Sequence, residues 1–72
     1  MPYVHIRITR EGVTAAQKAA LIERSTAMLV DVLDKDPATS FVLIEEVDTD
    51  NWGIAGETVT LRRQRAKGGA QR

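Results

Sequence analysis

The chain has 72 residues, with ten basic and ten acidic side chains, one histidine and no cysteine. A domain of this length buries only about 60% of the surface that its unfolded chain exposes, so its stability as a monomer is marginal. The absence of cysteine excludes disulfides and thiolate metal sites, and one histidine cannot form a cluster of metal ligands. Oligomerisation is therefore the expected source of additional burial.

The hydropathy pattern contains neither an apolar run near the roughly 20 residues of a membrane span nor the pattern of a signal peptide. These observations predict a cytoplasmic protein without a membrane partner. The zero net charge is unevenly distributed: residues 1–61 carry ten acids and five bases, whereas residues 62–72 carry five bases and no acid. A basic end of this kind can contact nucleic acid, but its composition is more typical of a disordered tail.

The first predicted element is a strand over residues 2–8, "PYVHIRI". Strict alternation is typical of a half-buried strand. It places four apolar positions on one face: Pro2, Val4, Ile6 and Ile8. Proline has no N–H for a sheet ladder and is found mainly at the edge or the first position of a strand. The pattern leaves two interpretations of Pro2, a simple strand opener or a functional group.

A helix is predicted to follow, because "TAAQ" offers a capping box between Thr14 and Gln17. It is expected to run to about Leu33 and to end before Pro37, which disfavours helical geometry at the preceding residue. Its apolar residues recur at steps of three and four and predict one broad buried face: Ala15, Ala19, Ile22, Leu29 and Leu33, widened by Leu21, Met28 and Val32.

The segment "SFVLIEE" is a short continuous apolar run, which favours a strand covered on both faces. Strand, helix and strand predict an α/β (α+β) fold built on one β-α-β unit with parallel strands. One helix covers only one face of such a sheet, so the other face is expected to meet another subunit.

The end of the chain, "NWGIAGETVTLRR", has a glycine-bracketed turn followed by alternation at Val59 and Leu61. It predicts a hairpin or short strand that reaches a neighbouring subunit. The predicted organisation is one domain over residues 1–63 and a basic, disordered tail over residues 64–72.

Three features together resemble the 4-oxalocrotonate tautomerase family: Pro2 behind Met1, "QKAALI" in the helix and "EEVDTDNWGIAGE" near the end. The resemblance covers residues 2 to about 63. It implies a β-α-β subunit that assembles through its sheet into a homohexamer, a trimer of dimers. It also implies an isomerase that catalyses keto-enol tautomerisation of an enol or unsaturated keto acid, without metal or organic cofactor. Pro2, exposed as the N-terminus once Met1 is removed, would be its catalytic base.

General chemistry agrees with this role. An α-amino group has an ordinary pKa of about 7.7–8.0, and both an apolar pocket and nearby cations favour its neutral form. A base whose pKa lies near the working pH is efficient in proton transfer. Pro2 shares the face of the apolar strand residues, where desolvation is expected.

The chain departs from the family at the two arginines that bind substrate. Val13 occupies the position after the loop glycine, and Phe41 or Val42 occupies the position at the start of the second strand. The nearest replacement in sequence is Arg10.

The other predicted substrate-binding residues are Trp52, as an apolar wall of the pocket, and Asn51 beside it. Arg62 and Arg63 are weaker candidates that would reach a neighbour's site. His5, Glu45 and Glu46 are assigned no catalytic role.

Two alternatives to the tautomerase remain open from the sequence. One is a hydratase or dehalogenase in which a protonated proline acts as an acid on an unsaturated acid. The other is a non-catalytic subunit of a mixed oligomer. Binding of nucleic acid through the basic tail is not expected, but loss of DNA retention on deleting residues 64–72 would indicate it.

Overall fold

The computed structural model describes residues 1–69. The predicted β-α-β unit is confirmed, and a hairpin and a second helix follow it. The elements in chain order are β1 (Tyr3–Thr9), α1 (Ala15–Leu33), β2 (Phe41–Val47), β3 (Gly53–Ile54), β4 (Glu57–Thr58) and α2 (Val59–Gly69).

The capping box predicted at the start of α1 is confirmed. The Gln17 N–H donates to Thr14 Oγ1 at 3.1 Å, and the Thr14 N–H donates to Gln17 Oε1 at 2.9 Å. These two bonds satisfy backbone donors that the first turn of a helix leaves without partners. The helix ends at Leu33 and is capped by Asp34, which adopts a left-handed conformation with φ 54° and donates its N–H to the Val30 carbonyl.

Strands β1 and β2 pair in parallel, from Tyr3 opposite Phe41 to Thr9 opposite Val47. The ladder continues at both ends, because the Phe41 N–H donates to the Pro2 carbonyl and the Arg10 N–H donates to the Val47 carbonyl. Helix α1 lies over the face that carries Val4 and Ile6, whose side chains are half-buried. On the opposite face Tyr3, Phe41 and Leu43 are exposed, each by half or more of its surface.

The broad buried face predicted for α1 is only partly formed within one chain. Leu29, at 8% exposure, is the helix's one buried hydrophobic residue, whereas Val32 is 69% exposed and Leu33 56% exposed. The reason is geometric: a sheet of two strands is too narrow to cover a helix of 19 residues. The apolar stripe thus extends beyond what one chain can bury.

The C-terminal hairpin is confirmed and consists of β3 and β4, which pair in antiparallel fashion. Its two-residue turn has positive φ at both positions, 52° at Ala55 and 84° at Gly56. This is the type I′ geometry, whose twist matches that of the flanking strands. The hairpin begins directly after Trp52 and returns the chain to the same residue, where the Val59 N–H donates to the Trp52 carbonyl at 2.8 Å.

The strand predicted at Val59 and Leu61 is wrong, because helix α2 begins at Val59. The Thr58 hydroxyl accepts the Leu61 N–H at 3.1 Å, as a helix cap does. Arginine, glutamine and alanine then favour helix continuation. Residues 64–69 are therefore helical and differ from the disordered tail expected there, while residues 70–72 lie outside the described part. The domain boundary at residue 63 stays a prediction.

The subunit is elongated rather than spherical. Its Cα radius of gyration is 16.6 Å, with principal extents of 50 × 24 × 18 Å. A compact domain of this length would have a radius of gyration of about 11 Å. Together with the exposed sheet face and the exposed stripe of α1, this shape leaves much of the apolar surface uncovered within one chain.

Surface ion pairs hold three glutamates in the charged form. Hydrogen bonds from Arg63, Arg7 and Lys18 lower the pKa of Glu11, Glu45 and Glu46, respectively, below the usual value of 4.5. A carboxyl whose pKa is lowered by folding stabilises the native state above its unfolded pKa, and this contribution is lost as the pH falls through the folded value. The free energy of unfolding is therefore expected to decrease as the pH is lowered beyond about 4.5.

We expect Glu46→Gln to make this acid-side loss of stability shallower. Glu46 is the least exposed of the three, and its Oε2 lies 2.6 Å from Lys18 Nζ. Urea unfolding at one fixed protein concentration, between pH 7 and pH 3, measures the effect. Glu23→Gln, on an exposed position of α1, serves as the control. An unchanged pH dependence in Glu46→Gln would show that this pair does not stabilise the fold.

Candidate active site

Pro2 lies one residue before β1, at the edge of the sheet where both parallel strands begin. It is half-buried, and its carbonyl accepts the Phe41 N–H at 3.0 Å. Strand alternation places it on the face that α1 covers. Met1 in front of it is 87% exposed. While Met1 is attached, the Pro2 nitrogen is an amide without basicity, and its removal would leave a secondary amine at the end of the apolar layer.

The other predicted site residues lie near the opposite edge, beyond the ends of β1 and β2. The Nε of Arg10 is 2.9 Å from Asp48 Oδ1, so its guanidinium is held against the loop that follows β2. The Asn51 N–H donates to the Asp48 carbonyl at 2.8 Å, which closes the short 3-10 turn at Thr49–Asn51. Trp52 follows this turn and is half-buried.

Trp52 borders a groove of about 550 Å³ between the hairpin and α2, which we call the arginine groove. Its apolar wall is formed by Trp52, Ile54 and Val59. The rest of the lining comes from the end of β1 and from one side of α2: Thr9, Arg62, Arg63, Arg65 and Ala66.

The three arginines of this groove share two carboxylates. Arg63 Nη2 lies 3.0 Å from Glu11 Oε2, while Arg65 bonds directly to Glu57. Arg62 Nη1 lies 3.6 Å from the other oxygen of Glu57. Three positive charges thus face two negative charges, and the groove is left with a net positive charge.

Trp52 also borders a second groove, of about 500 Å³, on the exposed face of the sheet. Arg7, Glu45 and Asn51 contribute its polar lining. Glu45 Oε1 lies 3.0 Å from both Arg7 Nε and His5 Nε2, so this carboxylate oxygen already has hydrogen-bond partners on both sides. His5, Arg7 and Glu45 therefore form a hydrogen-bonded cluster on the exposed face of the sheet, the face opposite to that of Pro2.

A single chain does not bring the predicted site residues together. Arg10 follows Pro2 by eight strand positions, which corresponds to about 26 Å at roughly 3.3 Å per residue. Trp52 lies on the Arg10 side, because β2 runs parallel to β1 and Trp52 follows the end of β2. Asn51 and Trp52 adjoin each other, whereas Arg10 lines neither groove.

Sequence reasoning missed the grouping of Arg65 and Ile54 with Trp52. The available signal was the spacing of Arg62, Arg65 and Ala66 at steps of three and four, which places side chains on one face of a helix. Reading this segment as a strand and a tail concealed that spacing.

Among residues 1–69, no three His, Asp or Glu side chains are grouped closely enough to hold a metal ion. Within the same part of the chain, neither helix has the length and apolar character required to cross a bilayer.

Residues 2–62 match the family described as tautomerase enzyme. A probable tautomerase from Dickeya dadantii is 64% identical over 66 residues, covering 92% of this chain and 98% of the relative. The 2-hydroxymuconate tautomerase of Pseudomonas putida is 45% identical over 56 residues, covering 78% of this chain and 87% of the relative.

Solved structures share the fold. DmpI from Helicobacter pylori superposes with a TM-score of 0.79 at 40% identity, covering 83% of this chain and 98% of the other. A heterohexameric 4-oxalocrotonate tautomerase from Chloroflexus aurantiacus superposes with a TM-score of 0.75 at 27% identity, covering 83% and 95%. Since both the sequence match and the β-α-β architecture extend over nearly the whole domain, the chain belongs to the 4-oxalocrotonate tautomerase family of the tautomerase superfamily.

Proposed function

We propose that this protein is a cofactor-independent tautomerase in which the amine of Pro2, freed by removal of Met1, is the general base. The observation that carries the proposal is the family membership, combined with a proline at position 2 where the apolar layer of the sheet ends. The substrate class is an enol or unsaturated keto acid, such as the 2-hydroxymuconate named for the Pseudomonas putida relative.

The reaction moves one proton. Neutral Pro2 accepts the proton of the enol hydroxyl, and the electrons of that O–H bond form the carbonyl as negative charge spreads along the conjugated chain. The protonated proline then returns the proton to a carbon of that chain, which regenerates the amine. Positive charge and N–H donors near the substrate oxygens stabilise the developing charge. The fixed pyrrolidine ring keeps the nitrogen lone pair in one direction throughout.

The separation of about 26 Å within one chain supports a site assembled from different subunits. Pro2 of one subunit would work beside Trp52, Asn51 and Arg10 of another. The exposed sheet face and the elongated shape support self-association, which we propose to be a homohexamer. In this arrangement Trp52 is an apolar wall for the conjugated chain of the substrate.

Subunit mixing tests the shared site. We expect Pro2→Ala and Trp52→Ala to be weakly active alone and to regain activity when they are unfolded together and reassembled. Mixed oligomers then contain sites with an intact Pro2 from one chain and an intact Trp52 from the other. The assay follows the absorbance change of a 2-hydroxydienoate, and a mixture of wild type with the doubly substituted chain is the control.

Absence of recovery in fully assembled mixtures would contradict a site shared between chains. Activity assays of the purified protein distinguish the tautomerase from the two alternative functions. An assembled but inactive chain that gains activity only with a different subunit would favour the mixed oligomer, and a heterohexamer is the assembly named for the Chloroflexus aurantiacus structure. Turnover of a haloacrylate without tautomerisation would favour the hydratase or dehalogenase.

A further inference from the structure

We propose that Arg62 of helix α2 binds a carboxylate of the substrate in the arginine groove and replaces the cations that the family normally places elsewhere. The proposal deepens the proposed function and rests on it for the identity of the substrate. The resemblance implies that Val13, and Phe41 or Val42, stand where the family usually has arginines, so recognition of an acid requires another source of positive charge.

The charges of the groove support Arg62 in particular. Arg65 bonds to Glu57 directly, and Arg63 lies 3.0 Å from Glu11. The contact of Arg62 with Glu57 spans 3.6 Å, which exceeds the range of a good hydrogen bond. The guanidinium of Arg62 thus retains donors that a ligand can use.

Burial distinguishes Arg62 from its neighbours as well. Its side chain is 40% exposed, against 51% for Arg63 and 62% for Arg65. A less exposed guanidinium interacts more strongly with an anion, because water screens it less. Arg62 and Ala66 are four residues apart on one face of α2, and both line the groove beside its apolar wall.

The groove fits an acid with an unsaturated carbon chain. A guanidinium presents paired N–H donors that match the two oxygens of a carboxylate. Trp52, Ile54 and Val59 offer an apolar surface for the planar carbons attached to that carboxylate. The proposal requires that a substrate anchored in this way extends its reacting end out of the groove, toward the Pro2 of a neighbouring subunit.

Trp52 is the only tryptophan, so its fluorescence reports binding in the groove without catalysis. We expect fumarate to quench or shift this fluorescence saturably and the neutral fumaramide to bind at least tenfold more weakly. Arg62→Gln is expected to weaken fumarate binding about tenfold, the scale of a charged hydrogen bond. Arg24→Gln, at an exposed position of α1 outside the groove, is the control and is expected to bind like the wild type.

A second variant is expected to change the affinity for fumarate in the opposite direction. Glu57→Gln removes the carboxylate that Arg62 and Arg65 share and is expected to tighten fumarate binding several-fold. If these ion pairs only stabilise the hairpin and α2, both Arg62→Gln and Glu57→Gln weaken binding. Arg62→Lys, which keeps the charge and loses the paired donors, is expected to be intermediate and serves if Arg62→Gln does not assemble.

Kinetics complete the test. For an enol acid, Arg62→Gln is expected to raise KM about tenfold and to leave kcat within about threefold, while an uncharged enol ester is unaffected. Fumarate affinity unchanged in Arg62→Gln and Arg62→Lys would overturn the carboxylate site and leave the tautomerase intact. Arg62-dependent fumarate binding by a protein without tautomerase activity would refute the proposed function and retain the site.

Discussion

Protein that retains Met1 is expected to be inactive as a tautomerase, and Pro2→Ala is expected to lower turnover by about 10²-fold or more, the scale of one general base. Retention of Met1 converts the secondary amine of Pro2 into an amide, whose nitrogen lone pair is delocalised into the carbonyl and accepts no proton. The alanine variant keeps a terminal amine but loses the ring that fixes its direction.

Mass spectrometry of the intact chain separates the two forms, and each is assayed with a 2-hydroxydienoate at equal subunit concentration. Circular dichroism and light scattering establish that the Met1-bearing form is folded and assembled. Equal rates for the two forms would show that Pro2 only opens strand β1. The family likeness would then extend to the fold and not to the base.

Leu43→Asp is expected to abolish assembly and, with it, most of the folded population at micromolar concentration. Leu43 is 50% exposed on the uncovered face of the sheet, next to Tyr3 and Phe41. In the part of the chain that the structure describes, only Leu29 and Val59 are buried hydrophobic residues, so one subunit alone has a very small core. Placing an unpaired carboxylate in an interface that supplies the missing burial is strongly unfavourable.

Leu43→Met keeps the volume and the apolar character of the side chain and is the matched control, with assembly expected to persist. Sedimentation velocity measures the oligomer, and thermal unfolding at several protein concentrations measures its coupling to stability. A folded, monomeric Leu43→Asp variant with the stability of the wild type would contradict the requirement for neighbours.

The elements of the β-α-β unit were predictable because their signals are local. The alternation from Pro2 to Ile8 and the capping box of Thr14 and Gln17 depend on residues a few positions apart. Parallel pairing of β1 and β2 followed from the helix between them. Such a helix returns the chain to the end of the sheet where the first strand began, so both strands start there. The segment "WGIAGE" and the position of Pro2 were specific enough to indicate the family from the sequence.

The C-terminal region was predictable only to the end of its hairpin. Val59 and Leu61 are only two apolar residues, two positions apart, and they are too few to distinguish the period of a strand from that of a helix. The helix is favoured because the Trp52 carbonyl and the Thr58 hydroxyl accept the N–H groups of Val59 and Leu61 at the start of α2. The contact between Val59 and Trp52 depends on the turn at Ala55 and Gly56, which folds the chain back onto Trp52.

The sequence alone determined the fold class, the family and Pro2 as the candidate base, because periodicity, caps and a distinctive motif act over short stretches of chain. Only the tertiary structure decided which of the candidate site residues lie close together. In the structure, Pro2 and Trp52 lie at opposite ends of the sheet. The segment predicted as a strand is a helix, and this helix places Arg62, Arg63 and Arg65 beside Trp52. The physical reason is that a groove and its charge balance depend on contacts between segments, and these contacts are set by packing rather than by any local pattern.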